Sequence, residues 1–223
     1  MPITVPTEPK KPPEPKKPPE GVPDVPVLPS GAERFTADDL QELSALVGDT
    51  WTSAADRDWS AQAGTVDWSC TATADHAVDC VYAPAFFLAS RRTDAYPSAG
   101  GDLTMGEDAT PERLVESLGI ATRLLVAVVR DAPEEVRSVI FRRPRLLGAP
   151  GDFLPRGAME LALHAHDVSV GLDVPFELPP AIARRLREHT RPWPMWTTEW
   201  NGLGRSDDAW GDLLAASGRQ RTL

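Results

Sequence analysis

Lysine is absent after residue 17, and cysteine, tyrosine and histidine are scarce throughout, at two, two and four residues in a chain of 223. No apolar run approaches the roughly 18 residues that a membrane span needs. The N-terminus has no apolar h-region, so no secretory signal is read there and a cytoplasmic protein is expected. Positive charge is in deficit, with 23 Lys and Arg against 33 Asp and Glu and a net charge of −10. That balance argues against nucleic acid and against an anionic membrane surface as partners. On one helix, Cys70 and Cys80 would lie roughly 15 Å apart, twice the Cα separation of about 7 Å that a disulfide tolerates. Both are therefore expected as free thiols, in keeping with a reducing compartment. The arginine-only body, rich in Ala, Pro and Asp, suggests a high-GC genome such as an actinobacterial one and has no bearing on mechanism.

What the sequence does have is a sharp change of texture near residue 31. Residues 1–30 hold eleven prolines, and EPKKPP occurs twice in succession, at 8–13 and 14–19. Proline fixes φ and removes a donor, so this stretch is expected to be an extended, disordered arm. Its P-x-x-P spacings would also suit a proline-binding partner, a reading secondary to that of a spacer. Residues 31–223 are expected to form one helical domain. Thr36 and Asp39 open a first helix over about 36–56, carrying Leu40, Leu43, Leu46 and Val47 at helical spacing. Ser69 caps a second, running to about Arg92, with Pro84 inside it and a kink expected near Cys80. Residues 93–109 read as a loop. Thr110-Pro111-Glu112 starts a third helix, to about Ala132. Residues 133–151 connect, with a short extended piece at Val139, Ile140 and Phe141. A fourth helix is expected from near Pro155 to Gly171, a C′ glycine, followed by shorter ones over about 179–191 and 207–219. Four long helical patterns with almost no alternating strands predict an all-α bundle.

Chemistry concentrates in MELALHAHDVSVGL, residues 159–172. At about 100° per residue, Glu160 and His164 stand roughly 40° apart. Leu161 and Val168 flank them on one side, Met159, Leu163 and Val170 on the other. A buried carboxylate without a partner costs several kcal/mol or a large pKa shift, and a metal ion would offset that cost. E-x-x-x-H sets a carboxylate and an imidazole one turn apart, close enough for one ion. Taken alone, the pair is more commonly solvated or hydrogen-bonded in a core. His166, on the opposite face, reads as a surface or rim histidine. His189, among arginines near the end of a short helix, reads as a partner of the helix dipole. His76 remains, sharing a helix face with Thr73, Cys80, Ala83 and Phe87. A lone histidine there would be a hydrogen-bonded core residue; beside Glu160 and His164 it becomes a third ligand.

Two segments resemble a known family. DWSCTATADH (67–76) resembles the Trp-Ser/Thr pair, with a histidine eight residues after the tryptophan, found in DinB-like bundles and in particular in the N-terminal domains of mycothiol-dependent maleylpyruvate isomerases. MELALHAHDVSVGLDVP (159–175) is similar to their E-x-x-x-H-x-x-D segment with its glycine and proline-containing turn. DAWGDLLAASGR (208–219) resembles a terminal segment of relatives, so the similarity covers roughly 36–219. It implies a DinB-like four-helix bundle with extra C-terminal helices, and a divalent ion, usually zinc, held by His76, Glu160 and His164. Three protein ligands leave a position open, which suits catalysis. The resemblance further implies a low-molecular-weight thiol such as mycothiol, activated to attack a small electrophile in an isomerisation or S-conjugation. Asp167, one turn past His164, is expected to orient a ligand from behind. Arg219 is a candidate anion contact for substrate, its plainer reading being a surface arginine at a helix end. Cys80, one turn after His76, is either a fourth ligand or, the reading favoured here, a small buried hydrophobe. The two-domain isomerases carry a further C-terminal domain, of which too few residues remain here for a full copy.

Three functions compete on this reading. The first is a zinc-dependent thiol transferase or isomerase. The second is a metal-dependent hydrolase on the same triad, with water in place of thiol. The third is a non-catalytic metal-binding bundle whose proline-rich arm docks a partner. Partners are otherwise expected to be small molecules, with a homodimer left open. The tryptophans are expected to serve the core more than a pocket.

Overall fold

Thr36 starts the first helix by the exchange its sequence predicts. Its hydroxyl accepts from the Asp39 N–H at 3.2 Å, and the Asp39 carboxylate accepts from the Thr36 N–H at 2.8 Å. The computed structural model describes residues 25–97, 104–193 and 206–221. Within them, α1 spans Ala37–Ser53, α2 Cys70–Ser90 and α3 Pro111–Asp131. Strands β1 (Ser138–Arg142) and β2 (Arg145–Gly148) follow, then α4 (Phe153–Leu172), α5 (Pro180–Thr190) and α6 (Ala209–Ala216). Ser69 and Thr110 cap α2 and α3 as expected, each accepting from the N–H three residues on.

Helices α1 to α4 form the bundle, with α2 packed on α3 and α4, and α1 on α3 and α4. Its interior is made of the apolar stripes: Leu40, Leu43 and Val47 from α1, Leu114, Leu118 and Leu125 from α3, and Met159, Leu161 and Val168 from α4. A buried hydrogen bond from the Thr122 hydroxyl to that of Ser44, at 2.9 Å, joins α3 to α1 within this layer. No helix of the described residues is long and apolar enough to cross a membrane.

Helices α2 and α4 run antiparallel at very close range, and two glycines of α4 permit it. Cys70 at the start of α2 lies beside Gly171, and Cys80 beside Gly157. Pro84 has no N–H to offer the Cys80 carbonyl. Gly157 packs against that carbonyl, where a Cβ would stand 3.3 Å from the oxygen. Gly171 is not the C′ residue its place in the sequence suggests. The helix continues past it, and Asp173 takes the left-handed turn at φ 54°. Gly171 is instead a contact glycine: a Cβ there would stand 2.4 Å from the Gln62 carbonyl oxygen and 2.5 Å from Cys70 Sγ.

The all-α expectation needs one correction. The extended piece at 139–141 is part of an antiparallel hairpin, paired from Ser138 with Gly148 to Arg142 with Arg145 and irregular between Val139 and Phe141. Residues 1–24 of the expected arm lie outside the described residues, but its last part is docked. The Leu28 N–H donates to the Leu147 carbonyl at 2.8 Å and the Leu147 N–H to that of Pro26 at 2.9 Å. Burial of Leu28 gives this short pairing its apolar anchor.

Helices α5 and α6 add Ile182, Leu186, Leu213 and Leu214 to the apolar core and are also joined by buried ions. Buried Arg187 reaches Glu188 at 2.9 Å and, through its other nitrogen, Asp212 at 2.5 Å, tying α5 to α6. His189, in the last turn of α5 as expected, is likewise inside. Its Nδ1 accepts from the Phe35 N–H at 3.0 Å, which leaves Nε2–H to donate to Asp152 at 3.0 Å.

Asp39 also grips Arg185 of α5, the two nitrogens of the guanidinium meeting its two oxygens. Burial pushes this carboxyl up, but Arg185 and the Thr36 donors outweigh it and hold the pKa below the usual range. A carboxylate whose pKa is lowered by folding adds stability above its unfolded pKa, and that gain is lost as pH falls through the folded value. Arg185→Gln is therefore expected to cost about 1 kcal/mol near neutral pH, the pair being partly exposed. The gap to wild type should begin to narrow below about pH 4, where the unfolded carboxyl protonates, and close only as pH falls through the lowered folded value. Urea midpoints measured across that range check this, and a gap independent of pH would show that the pair contributes nothing.

Candidate metal centre

The seam between α2 and α4 carries the polar cluster. His76 comes from the second turn of α2, and Glu160 and His164 from the middle of α4. The structure brings them together: the His76 and His164 ring centres are 5.1 Å apart, and His164 Nε2 is 3.7 Å from Glu160 Oε2. Two imidazoles bonded at about 2.1 Å to one tetrahedral ion have ring centres roughly 5 Å apart, and adjacent N and O donors roughly 3.3 Å. The donor types and these pairwise spacings suit zinc. Even so, among the described residues no group of three or more His, Cys, Asp or Glu side chains is arranged to hold a metal ion as it stands. The Glu160 carboxylate is instead turned to Arg156, whose guanidinium donates to Oε1 at 2.7 Å. Its other oxygen would have to be drawn in.

Electrostatics keep the carboxylate in its ligating form. Burial pushes the Glu160 carboxyl up, but Arg156 one turn before it, helped by His164 and His76, holds it below the usual carboxylate range. Behind His164, Asp167 is only 1% exposed, with Oδ2 3.2 Å from His164 Nδ1. A proton carried on Nδ1 and shared with Asp167 would leave the Nε2 lone pair free to ligate. Asp167 is in turn gripped by Arg219, whose Nε donates to Oδ1 at 2.8 Å and whose terminal nitrogen donates to Oδ2 at 2.6 Å. Against burial, the His164 and Arg219 bonds hold the Asp167 carboxyl below the usual carboxylate range.

Arg219 is thus not a solvated helix end; its fork is committed to Asp167. The rim role read for His166 is also corrected. The segment after α6 folds over that face, His166 Nε2 meets the Gln220 carbonyl at 3.0 Å, and Trp210 packs edge-on at 5.9 Å. Burial lowers its pKa and keeps the ring neutral.

A cavity of about 500 Å³ opens beside His76, lined by Trp68, Thr71, Ala72, Asp75, Asp79 and Thr104 among others. Trp68 is 47% exposed and stands edge-on to His76 at 5.1 Å, so an aromatic wall adjoins the imidazole. Asp75 closes the cavity by accepting from the Met105 and Gly106 N–H groups at 3.0 and 3.2 Å. Trp51, Trp59, Trp193 and Trp210 are core residues, while Trp196 and Trp200 lie outside the described residues. Sequence reasoning missed Arg156, although R-x-x-x-E at 156–160 is a legible ion-pair spacing. It also missed Asp75, whose partners are backbone groups that no motif records.

Fold and site together define a mostly helical bundle with a histidine–carboxylate cluster at one helix seam. No family model matches the sequence, and no curated protein matches it. Among solved structures, that of mycothiol-dependent maleylpyruvate isomerase is similar, with a TM-score of 0.49 and 15% identity over 76% of this chain and 74% of that one. A variant of the same enzyme is similar at 0.47 and 14%, with the same coverage. This is a distant likeness in the course of the chain and says nothing of chemistry.

Proposed function

We propose that His76, Glu160 and His164 hold one divalent cation, zinc by donor type, and that the protein uses it to activate a low-molecular-weight thiol, mycothiol by the family resemblance, for attack on a small electrophile. One observation carries the reading: two imidazoles and an ionised carboxylate meet at the α2–α4 seam with a buried Asp167 fixing one imidazole from behind. Such a buried carboxylate–histidine pair is a recurrent support for metal ligands. When bound, the ion supplies Lewis acidity that lowers the pKa of an incoming thiol or water. The residues do the rest. Asp167, itself held by Arg219, orients His164; Arg156 keeps Glu160 ionised; Trp68 walls the cavity in which an electrophile is received. Arg219 is on this account a positioning residue.

The test is metal analysis of the purified chain, followed by turnover of an electrophile with and without mycothiol. About one zinc per chain and turnover only with thiol are expected. Turnover without thiol would move the assignment to a metal-dependent hydrolase. Absence of metal after zinc loading, with the chain folded, would remove the centre altogether.

A further inference from the structure

Cys80 stands one helical turn beyond His76 on α2, as His164 stands one turn beyond Glu160 on α4. The two i, i+4 pairs face each other across the seam. Cys80 Sγ is 3.4 Å from His76 Nε2. Bonds of about 2.3 Å to sulfur and about 2.1 Å to nitrogen at a tetrahedral angle put the two donors roughly 3.5 Å apart. The observed separation, bridged by a hydrogen bond between thiol and imidazole, fits the spacing of two donors on one ion. Cys80 is also near enough to the Glu160 carboxylate to feel its charge, which adds to burial in pushing the thiol pKa up.

We infer that Cys80 is a fourth donor to the cation, so that α2 supplies a histidine and a cysteine and α4 a glutamate and a histidine. This rests on the metal reading above and goes beyond the three-ligand set the family resemblance implies. As the sulfur–metal bond forms, the S–H proton leaves to solvent and nothing is oxidised or reduced. A sulfur donor biases the site toward zinc over the oxygen-seeking magnesium and calcium. Zinc accepts a fifth ligand, so an incoming group can still approach from the cavity beside His76.

Cobalt(II) alone, added to the metal-stripped full chain, reads the donors directly. A sulfur-to-cobalt charge-transfer band in the near ultraviolet is expected, together with the visible bands of a four-coordinate ion. The chain has two cysteines, so assignment is direct: Cys80→Ser should abolish the charge-transfer band and Cys70→Ser should retain it. Cobalt affinity should fall about tenfold or more in Cys80→Ser while the visible bands survive. Should that variant fail to fold, alkylation of the wild type serves instead: bound cobalt should protect Cys80 and leave Cys70 unchanged. Visible bands without charge transfer, or alkylation of Cys80 indifferent to cobalt, would overturn the sulfur donor and leave the three-ligand centre standing. No cobalt binding at all would overturn both.

Discussion

Replacing His164 by alanine is expected to empty the proposed centre, taking zinc content from about one ion per chain to near zero, with affinity reduced roughly 1,000-fold or about 4 kcal/mol. The argument is positional. His164 sits among Glu160 at 3.7 Å, Asp167 at 3.2 Å and the His76 ring at 5.1 Å between centres. Its loss removes a nitrogen donor and leaves Asp167 with Arg219 as its remaining partner. His166→Ala is the control. It lies two residues away on the same helix and is equally enclosed, yet its contacts are Gln220 and Trp210. That variant should lose stability and keep its zinc. Metal analysis of both proteins after dialysis separates the cases. Equal zinc in wild type and His164→Ala would end the ligand assignment.

The second large effect is expected at Gly171. In an exposed helix, glycine to alanine is stabilising by about 1 kcal/mol. Here the sign reverses. A Cβ would lie 2.4 Å from the Gln62 carbonyl oxygen, 2.5 Å from Cys70 Sγ and 3.1 Å from the Ala63 Cα. Two of these three belong to backbone, and that backbone is tied down: the Ala63 N–H donates to the Trp68 carbonyl at 2.9 Å and the Cys70 N–H to that of Ala61 at 2.8 Å. The loop cannot yield without giving up these bonds. Gly171→Ala is expected to cost about 3 kcal/mol, and a valine more, lowering the melting temperature by roughly 10 °C. A melting temperature at or above wild type would mean that the loop moves freely. Because Trp68 ends that loop and stands against His76, a shifted loop should also disturb the cavity wall.

Much of the bundle was legible because its signals are local. Thr36 with Asp39, Ser69, and Thr110 with Pro111 announce helix starts through side chains that satisfy nearby N–H groups. The pairing of Glu160 with His164 on one face of α4 was legible from their spacing, but their enclosure was not, since Ala162, His166 and Ser169 on the opposite face are buried too. The rest depended on what covers what. Nothing near His166 says that the segment after α6 will fold over it, 54 residues along the chain. Nothing near Gly171 distinguishes a helix stop from a contact with a distant loop. The hairpin at 138–148 was half seen, since Arg142, Arg143 and Arg145 interrupt the apolar alternation by which a strand is read.

Three links in series, Arg219 to Asp167 to His164, end at the proposed ion. Coupling of this kind is reciprocal by thermodynamic necessity. Whatever free energy the arginine lends to cation affinity, an occupied centre returns as tighter closure of residues 217–221 on α4. The stretch after α6 is then a sensor of loading as well as a brace, and its grip on the helix reports from the outside whether the interior is filled.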